Sequence, residues 1–262
     1  MNERIRMLES FYGSIDEDVR LNRSRQGQLE YLTTMAFVHR HAQRGARILE
    51  IGAGTGRYSI ALAKEGYDVT AVELVKGNLD VLKANGGHLK NLHAYQGDAL
   101  NLSCLDDGEF DLTLVLGPMY HLYDRDDAHK AIDEALRATK QNGIILAAFL
   151  SVHAILYNNY LNGTLAEGMK TNFTDEYAVK HFEEQLFTGY DIEEFEELFA
   201  RKGVEHISTA AADGILELAQ GRRDFAMSDE EFKAYAAYHL AVCEKRELLG
   251  SSSHLLYVCR KK

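Results

Sequence analysis

The chain has 262 residues, 46% of them hydrophobic, enough to bury a sizeable core within one α/β unit. Its formal net charge of −11 opposes a general role on phosphate backbones, which asks for clustered Lys and Arg. Three scattered cysteines (Cys104, Cys243, Cys259), no apolar signal core and no apolar run longer than residues 144–150 point to a cytoplasmic protein with no disulfide framework and no membrane partner.

Residues 1–25 are rich in charge and carry one aromatic pair, Phe11 and Tyr12. Two readings stand for them. One is a frayed amphipathic helix; the other is a lid that brings Tyr12, and with it Arg20, over a pocket. Residues 28–43 place Leu29, Leu32, Ala36 and Phe37 on one helical stripe, with Glu30, His39 and His41 on the polar face. His39 and His41 lie two apart, so they diverge and make poor joint metal ligands. Gly45 ends that helix.

Residues 47–73, RILEIGAGTGRYSIALAKEGYDVTAVE, read as strand, glycine turn, helix and second strand. Ile48, Leu49 and Ile51 form an apolar run suited to a strand covered on both faces. Gly52, Gly54 and Gly56 follow at once, Gly66 stops the helix as a left-handed C-cap does, and Glu73 closes the second strand. Such a unit binds nucleosides. Dinucleotide enzymes use G-x-G-x-x-G, which seats a pyrophosphate on the helix N-terminus. Here the order is G-x-G-x-G with Glu50 two residues before it, and a carboxylate there repels a diphosphate but suits an ammonium and a sulfonium.

The stretch resembles the [D/E]-x-G-x-G-x-G motif of the class I S-adenosylmethionine-dependent methyltransferases. The resemblance implies a doubly wound, mostly parallel seven-stranded α/β sheet with an antiparallel last strand and S-adenosylmethionine as cofactor. It assigns the cofactor to Glu50, Gly52, Ala53, Gly54 and Gly56 in the turn, and to Glu73 and Leu74 after the second strand. Asp98 and Ala99 join them after the third strand, as do Leu116 and Gly117 at the end of the fourth. Asp98 takes the adenine amine on this reading; its structural alternative is a turn-capping Asp after Gly97.

A helix around residues 78–85 leads to a strand at 92–96, and residues 110–116, FDLTLVL, form the fourth strand. It opens into Gly117-Pro118-Met119-Tyr120-His121-Leu122-Tyr123, where Pro118, the only proline, rigidifies the loop without removing a needed donor. The loop resembles the G-P-x-Y-H-L loop of a subset of small-molecule methyltransferases. His121 is a candidate general base, since imidazole titrates near neutrality, or a strut that only holds the loop; Tyr120 is a candidate acceptor contact. Residues 126–138 are helical, with Asp124, Asp126 and Asp127 as capping acids. A metal site at Asp124, Asp127 and His129 is the weaker alternative, and none is expected. Gln141-Asn142-Gly143 turns into a fifth strand at 144–150.

From Ser151 the alternation breaks. Residues 152–190 are rich in Asn, Gly, Tyr and Phe; 191–202 form an amphipathic helix, 204–210 a strand, 213–249 a helical insertion and 253–260 the closing strand. One unit is expected over 1–262, with a core of 46–151, 191–211 and 252–262 and a cap of 1–44, 152–190 and 213–250. Both insertions leave the carboxyl edge of the sheet, where ligands bind. Together with residues 1–25 and Tyr12 they should roof a pocket fit for a small acceptor, with Tyr157, Tyr160 and Phe173 either wall residues or ordinary core of the cap. Methyl transfer to N, O or S of a small molecule is the expected function. A non-catalytic S-adenosylmethionine-binding protein and, less favoured, an NAD-dependent oxidoreductase are the alternatives.

Overall fold

Within the sheet, β1 (Arg47–Ile51) lies between β2 and β4; it is buried from its second residue onward and apolar there except at Glu50. We describe residues 3–14, 20–183 and 185–262 of a computed structural model. The strands are β1, β2 (Asp68–Glu73), β3 (Leu92–Gln96), β4 (Phe110–Val115), β5 (Thr139–Ser151), β6 (Gly189–Tyr190), β7 (Val204–Ala211) and β8 (His254–Lys261). Their order is β3-β2-β1-β4-β5-β8-β7, with β6 pairing β5 off this path. Pairs among β1 to β5 are parallel, and β8 is antiparallel to both β5 and β7. The seven-stranded expectation therefore gains one short strand, β6, and keeps its antiparallel closing strand.

The chain winds outward from β1 in both directions, through β2 and β3 on one side and β4 and β5 on the other. The strand order reverses between β1 and β4, and at such a point the loops leaving the strands part and open a crevice. Of the helices, α1 (Glu3–Tyr12), α2 (Arg20–Arg23) and α3 (Arg25–His41) precede the sheet. Next, α4 (Arg57–Lys64) and α5 (Lys76–Gly86) pack on β2 and β3, and α6 (Arg125–Ala138) packs on β4 and β5. After β5 come α7 (Val152–Leu161), α8 (Leu165–Asn172), α9 (Ile192–Glu197), α10 (Leu216–Gln220), α11 (Asp229–Val242) and α12 (Arg246–Leu249), of which all but α9 fall in the segments expected as cap. No helix among the described residues is long and apolar enough to cross a membrane.

Three boundaries differ from the sequence expectation for local reasons. β5 begins at Thr139 and not after the 141–143 turn: Thr139 Oγ1 pairs with Thr113 Oγ1 at 2.7 Å, tying the chain to β4 as soon as α6 ends. The extra residues are absorbed by a register shift opposite Phe110–Leu112 and by a left-handed Asn142 with φ 63°. α9 stops at Glu197, yet Leu198 and Phe199 stay buried in the following turns. Glu30, expected on a polar face, is buried, because α10 and α11 cover α3 from outside the sheet.

Gly52 shows why the turn after β1 needs glycine. Its φ is +77°, and a Cβ there would stand 2.6 Å from Pro118 Cδ. The turn after β1 is thus pressed against the loop after β4. Gly52→Ala should destabilise the fold by roughly 1–3 kcal/mol, the usual cost of a non-glycine residue held in a sparsely populated conformation. Urea unfolding followed by circular dichroism measures this; an unshifted midpoint would show that the two loops part freely.

Candidate functional site

The carboxyl ends of β1, β2 and β4 open into a cavity of about 360 Å³, bounded by α1, α10 and the end of β8. That size lies at the small end of the range for small-molecule sites. Its floor is the glycine turn. Gly52, Gly54 and Gly56 all have positive φ, and the Gly52 and Ala53 amides both donate to Val72 O. Glu73 accepts from the Gly54 amide at 2.8 Å and from the Val75 amide at 2.7 Å. The Gly54 N–H is thereby engaged by the Glu73 carboxylate, and turn and acid form one unit.

Glu50 lies beneath the turn, buried, and accepts a hydrogen bond from Ser59 Oγ. Burial pushes its carboxyl up to about 8, against the lowering effect of the Ser59 bonds. Leu74, Ala99, Leu116 and Gly117 line the cavity as the sequence reading placed them. Asp98 also lines it, but both of its oxygens have protein donors. Oδ1 accepts from the Leu100 amide at 3.1 Å, the turn-capping alternative, and Oδ2 accepts from Arg4 at 2.5 Å.

Arg4 belongs to α1, and so do Leu8, Phe11 and Tyr12 on the same wall. The lid reading of the N-terminal segment thus describes α1. Arg20, the other residue proposed for it, has a side chain outside those described. Tyr12 meets His121 there. His121 Nδ1 lies 2.6 Å from Leu186 O, which can only accept, so Nδ1 carries the hydrogen. In the neutral ring Nε2 is then the acceptor, and the Tyr12 hydroxyl donates to it at 2.9 Å. Burial lowers the His121 pKa to about 4, which keeps the ring neutral. Both the strut role and a base role routed through the Tyr12 phenol fit this geometry.

The segment 185–190 is stitched to the loop after β4: Thr188 N donates to Tyr120 O and Tyr190 Oη donates to Leu122 O. This places Phe187 in the wall. The rest of the segment departs from expectation. Tyr157 is 47% exposed and Tyr160 65% exposed, on the outer side of α7, while Phe173 packs against His153. None of these three lines the cavity, nor does Tyr123. Asp124 caps α6, accepting from the Asp126 and Asp127 amides, which accounts for it without a metal.

Sequence reasoning missed the roof end. His254, at the start of β8, and Glu217, on α10, line the cavity beside Tyr120. His254 Nδ1 sits 2.7 Å from Asp213 Oδ2. Asp213 is fully buried and also accepts from Gln26 Nε2 (2.7 Å), Ser252 Oγ (2.6 Å) and the Ser253 and His254 amides (3.1 Å each). Burial alone would push the His254 pKa down, but the Glu30, Asp213 and Glu217 carboxylates outweigh it and raise it to about 9. The one available signal was a lone His opening an apolar strand. Nothing in its neighbourhood in sequence announced Glu30, Asp213 or Glu217.

Residues 48–143 match the family described as "Methyltransferase domain". The chain is 33% identical over 116 residues to glycine/sarcosine N-methyltransferase of Parasynechococcus marenigrum (strain WH8102), covering 42% of this chain and 40% of that protein. It is 29% identical over 188 residues to demethylmenaquinone methyltransferase of Clavibacter sepedonicus, covering 68% and 73%. The crystal structure of a SAM-dependent methyltransferase from Thermotoga maritima superposes with a TM-score of 0.57 at 17% identity, covering 98% of this chain and 99% of that one. The chain thus spans well under half the length of the glycine/sarcosine enzyme and about three quarters of the demethylmenaquinone enzyme.

The two cavity histidines should titrate on opposite sides of neutrality, as followed by imidazole nitrogen NMR. His121 should stay neutral until pH falls to about 4, and His254 charged until pH rises to about 9. Since an unfolded His titrates near 6.5, the His121 contribution to stability is lost as pH falls from there through 4. The His254 contribution is lost as pH rises from there through 9. Two overlapping titrations near 6.5 would contradict both environments.

Proposed function

We propose that the chain, which matches the methyltransferase-domain family over residues 48–143 and aligns with known methyltransferases, is an S-adenosylmethionine-dependent methyltransferase that methylates a small molecule held in the roofed half of the cavity. The observation that carries this reading is the joining of the glycine turn to Glu73 at the floor of a cavity of small-molecule size. A Cβ at Gly52 or Gly56 would strike Pro118 or Leu82 at 2.6 Å, so the backbone there is as close to its neighbours as a glycine turn permits. Leu74, Ala99 and Leu116 give apolar surface to a flat ring, and Glu73 gives acceptor oxygens for hydroxyls beside it. Glu50, buried below, would be ionised by a nearby cation. These residues fit S-adenosylmethionine, and a carboxyl at Glu50 opposes the pyrophosphate of a dinucleotide.

When bound, the cofactor supplies a methyl carbon made electrophilic by its sulfonium. The chain's own work is alignment and exclusion of water. Phe11, Tyr12 and Leu8 close the cavity from α1, and Phe187 and Tyr120 close it from the cap and the loop after β4. The Tyr12–His121 pair can hold a proton beside the acceptor, since the neutral imidazole already receives the phenol hydrogen. The small volume favours a metabolite over a polymer. The net charge likewise disfavours a nucleic acid.

Calorimetry with S-adenosylmethionine and S-adenosylhomocysteine tests the reading. Both should bind; Gly54→Val should abolish binding with the fold intact. Glu73→Ala should weaken it about 10- to 100-fold, the worth of hydrogen bonds to a charged group. Turnover with an acceptor panel separates an enzyme from a binding protein. Indifference to both adenosyl ligands would end the proposal.

A second measurement follows from Glu50. With its carboxyl held protonated to about pH 8, arrival of a cationic ligand should expel up to about one proton at pH 7. Titrations in buffers of different ionisation enthalpy report that proton, and Glu50→Gln should remove it. Equal heats in all buffers would place the cation away from Glu50.

A further inference from the structure

At the roof end of the cavity three carboxyl groups gather about one imidazole: Glu30 on α3, Asp213 after β7 and Glu217 on α10 all act on His254. Asp213 is satisfied by five donors from Gln26, Ser252, Ser253 and His254, and Glu30 accepts from Gln26 at 3.3 Å. Glu217 differs. One of its oxygens accepts from Asn158 Nδ2 at 2.8 Å; the other is buried with no hydrogen-bond partner and stands 3.9 Å from His254 Nδ1. A buried carboxylate oxygen left in this state is costly.

The cavity's arginines are engaged elsewhere. Arg4 pairs with Asp98, and Arg57 donates to Asn22 and lies over the Tyr31 ring. Among the described residues neither arginine of the cavity is placed against the partnerless Glu217 oxygen, and a cation brought by the ligand would answer it. We propose that the methyl acceptor is an amine that enters as its ammonium ion and is received at the roof by Glu217, beside the Asp213–His254 pair; the ammonium gives one proton to the Glu217 carboxylate, and the freed nitrogen lone pair bonds the methyl carbon as the carbon–sulfur bond breaks, leaving a methylated ammonium and a neutral thioether. This deepens the function proposed above and rests on it. The Tyr120 ring, 5.8 Å from that of His254, offers the neighbouring face that a cation tolerates. An anionic acceptor would meet Glu217 as a like charge. A neutral acceptor would leave that oxygen without a cation.

A metal ion is the competing occupant, because ligand atoms of Asp213, Glu217 and His254 lie within 4.8 Å of one another. Coordination by Asp213 and by His254 Nδ1 would break the hydrogen bond between them and displace donors that Asp213 already accepts. An ammonium needs none of those bonds broken, only a turn of the Glu217 side chain that brings its partnerless oxygen to the cavity.

The test uses the full chain loaded with S-adenosylhomocysteine, so that binding is read without turnover. Calorimetry is run on primary amines, each against the alcohol of the same shape, beginning with 2-phenylethylamine and 2-phenylethanol. Amines should bind at least about tenfold tighter than their alcohols. Glu217→Gln should erase that preference, and Glu217→Asp should keep part of it, with S-adenosylhomocysteine affinity and thermal midpoint unchanged in both. Alcohols binding as well as amines, no amine binding, or a preference intact in Glu217→Gln would overturn the proposal. So would one-to-one binding of Mn²⁺ or Zn²⁺ that Glu217→Gln abolishes. Failure of S-adenosylhomocysteine itself to bind would instead bring down the cofactor reading on which the proposal stands.

Discussion

The site depends on one short-range arrangement: the Glu73 carboxylate holding the Gly54 and Val75 amides at once. The first amide belongs to the turn after β1 and the second to the entry of α5, so a single side chain fixes two loop ends that different crossovers deliver. Charged acceptors make the stronger hydrogen bonds, and Glu73 is buried enough to feel a low dielectric. The parallel register between β1 and β2, with Ile51 opposite Val72, sets the carboxylate at the height of the turn. Pro118 presses the loop after β4 onto Gly52 from the other side. Floor and wall are thereby located by contacts only a few ångströms long.

Around that floor, the cavity is divided electrostatically. Its lower part holds Glu50, kept neutral by burial, together with the doubly engaged Glu73. Its side wall pairs Asp98 with Arg4 and His121 with Tyr12, each charge or lone pair already answered by the protein. Its roof carries, among the described residues, a Glu217 carboxylate oxygen with no hydrogen-bond partner. Two histidines a single tyrosine apart, His121 and His254 flanking Tyr120, are driven to opposite protonation states because one faces a carbonyl and a phenol while the other faces three acids.

How much of this was legible in the sequence follows from how far apart the partners lie along the chain. The glycine turn, Glu50 and Glu73 fall within 27 residues, residues 47–73, and each obeys a local rule of backbone conformation, so the strand order and the floor could be read. Asp98 was placed correctly, but its partner Arg4 lies 94 positions away, which no periodicity encodes. The roof was illegible for the same reason, since Gln26, Asp213 and His254 meet only once α3 lies against α10. Tyr157 misled because α7 has almost no sidedness in its composition: only Val152 and Ala154 are buried, and the tyrosines turn outward. Glu30 misled in the opposite sense. A helix wrapped on two sides no longer has a wet face where its sequence says one should be.

The first helix joins the molecule at two well-separated places, through Arg4 to the end of β3 and through Tyr12 to the loop after β4. A clasp fastened at both ends does not swing like a flap hinged at one. Moving the helix as a whole would break the ion pair and the phenol hydrogen bond together, so ten residues that contribute no strand to the sheet are held against it at both ends.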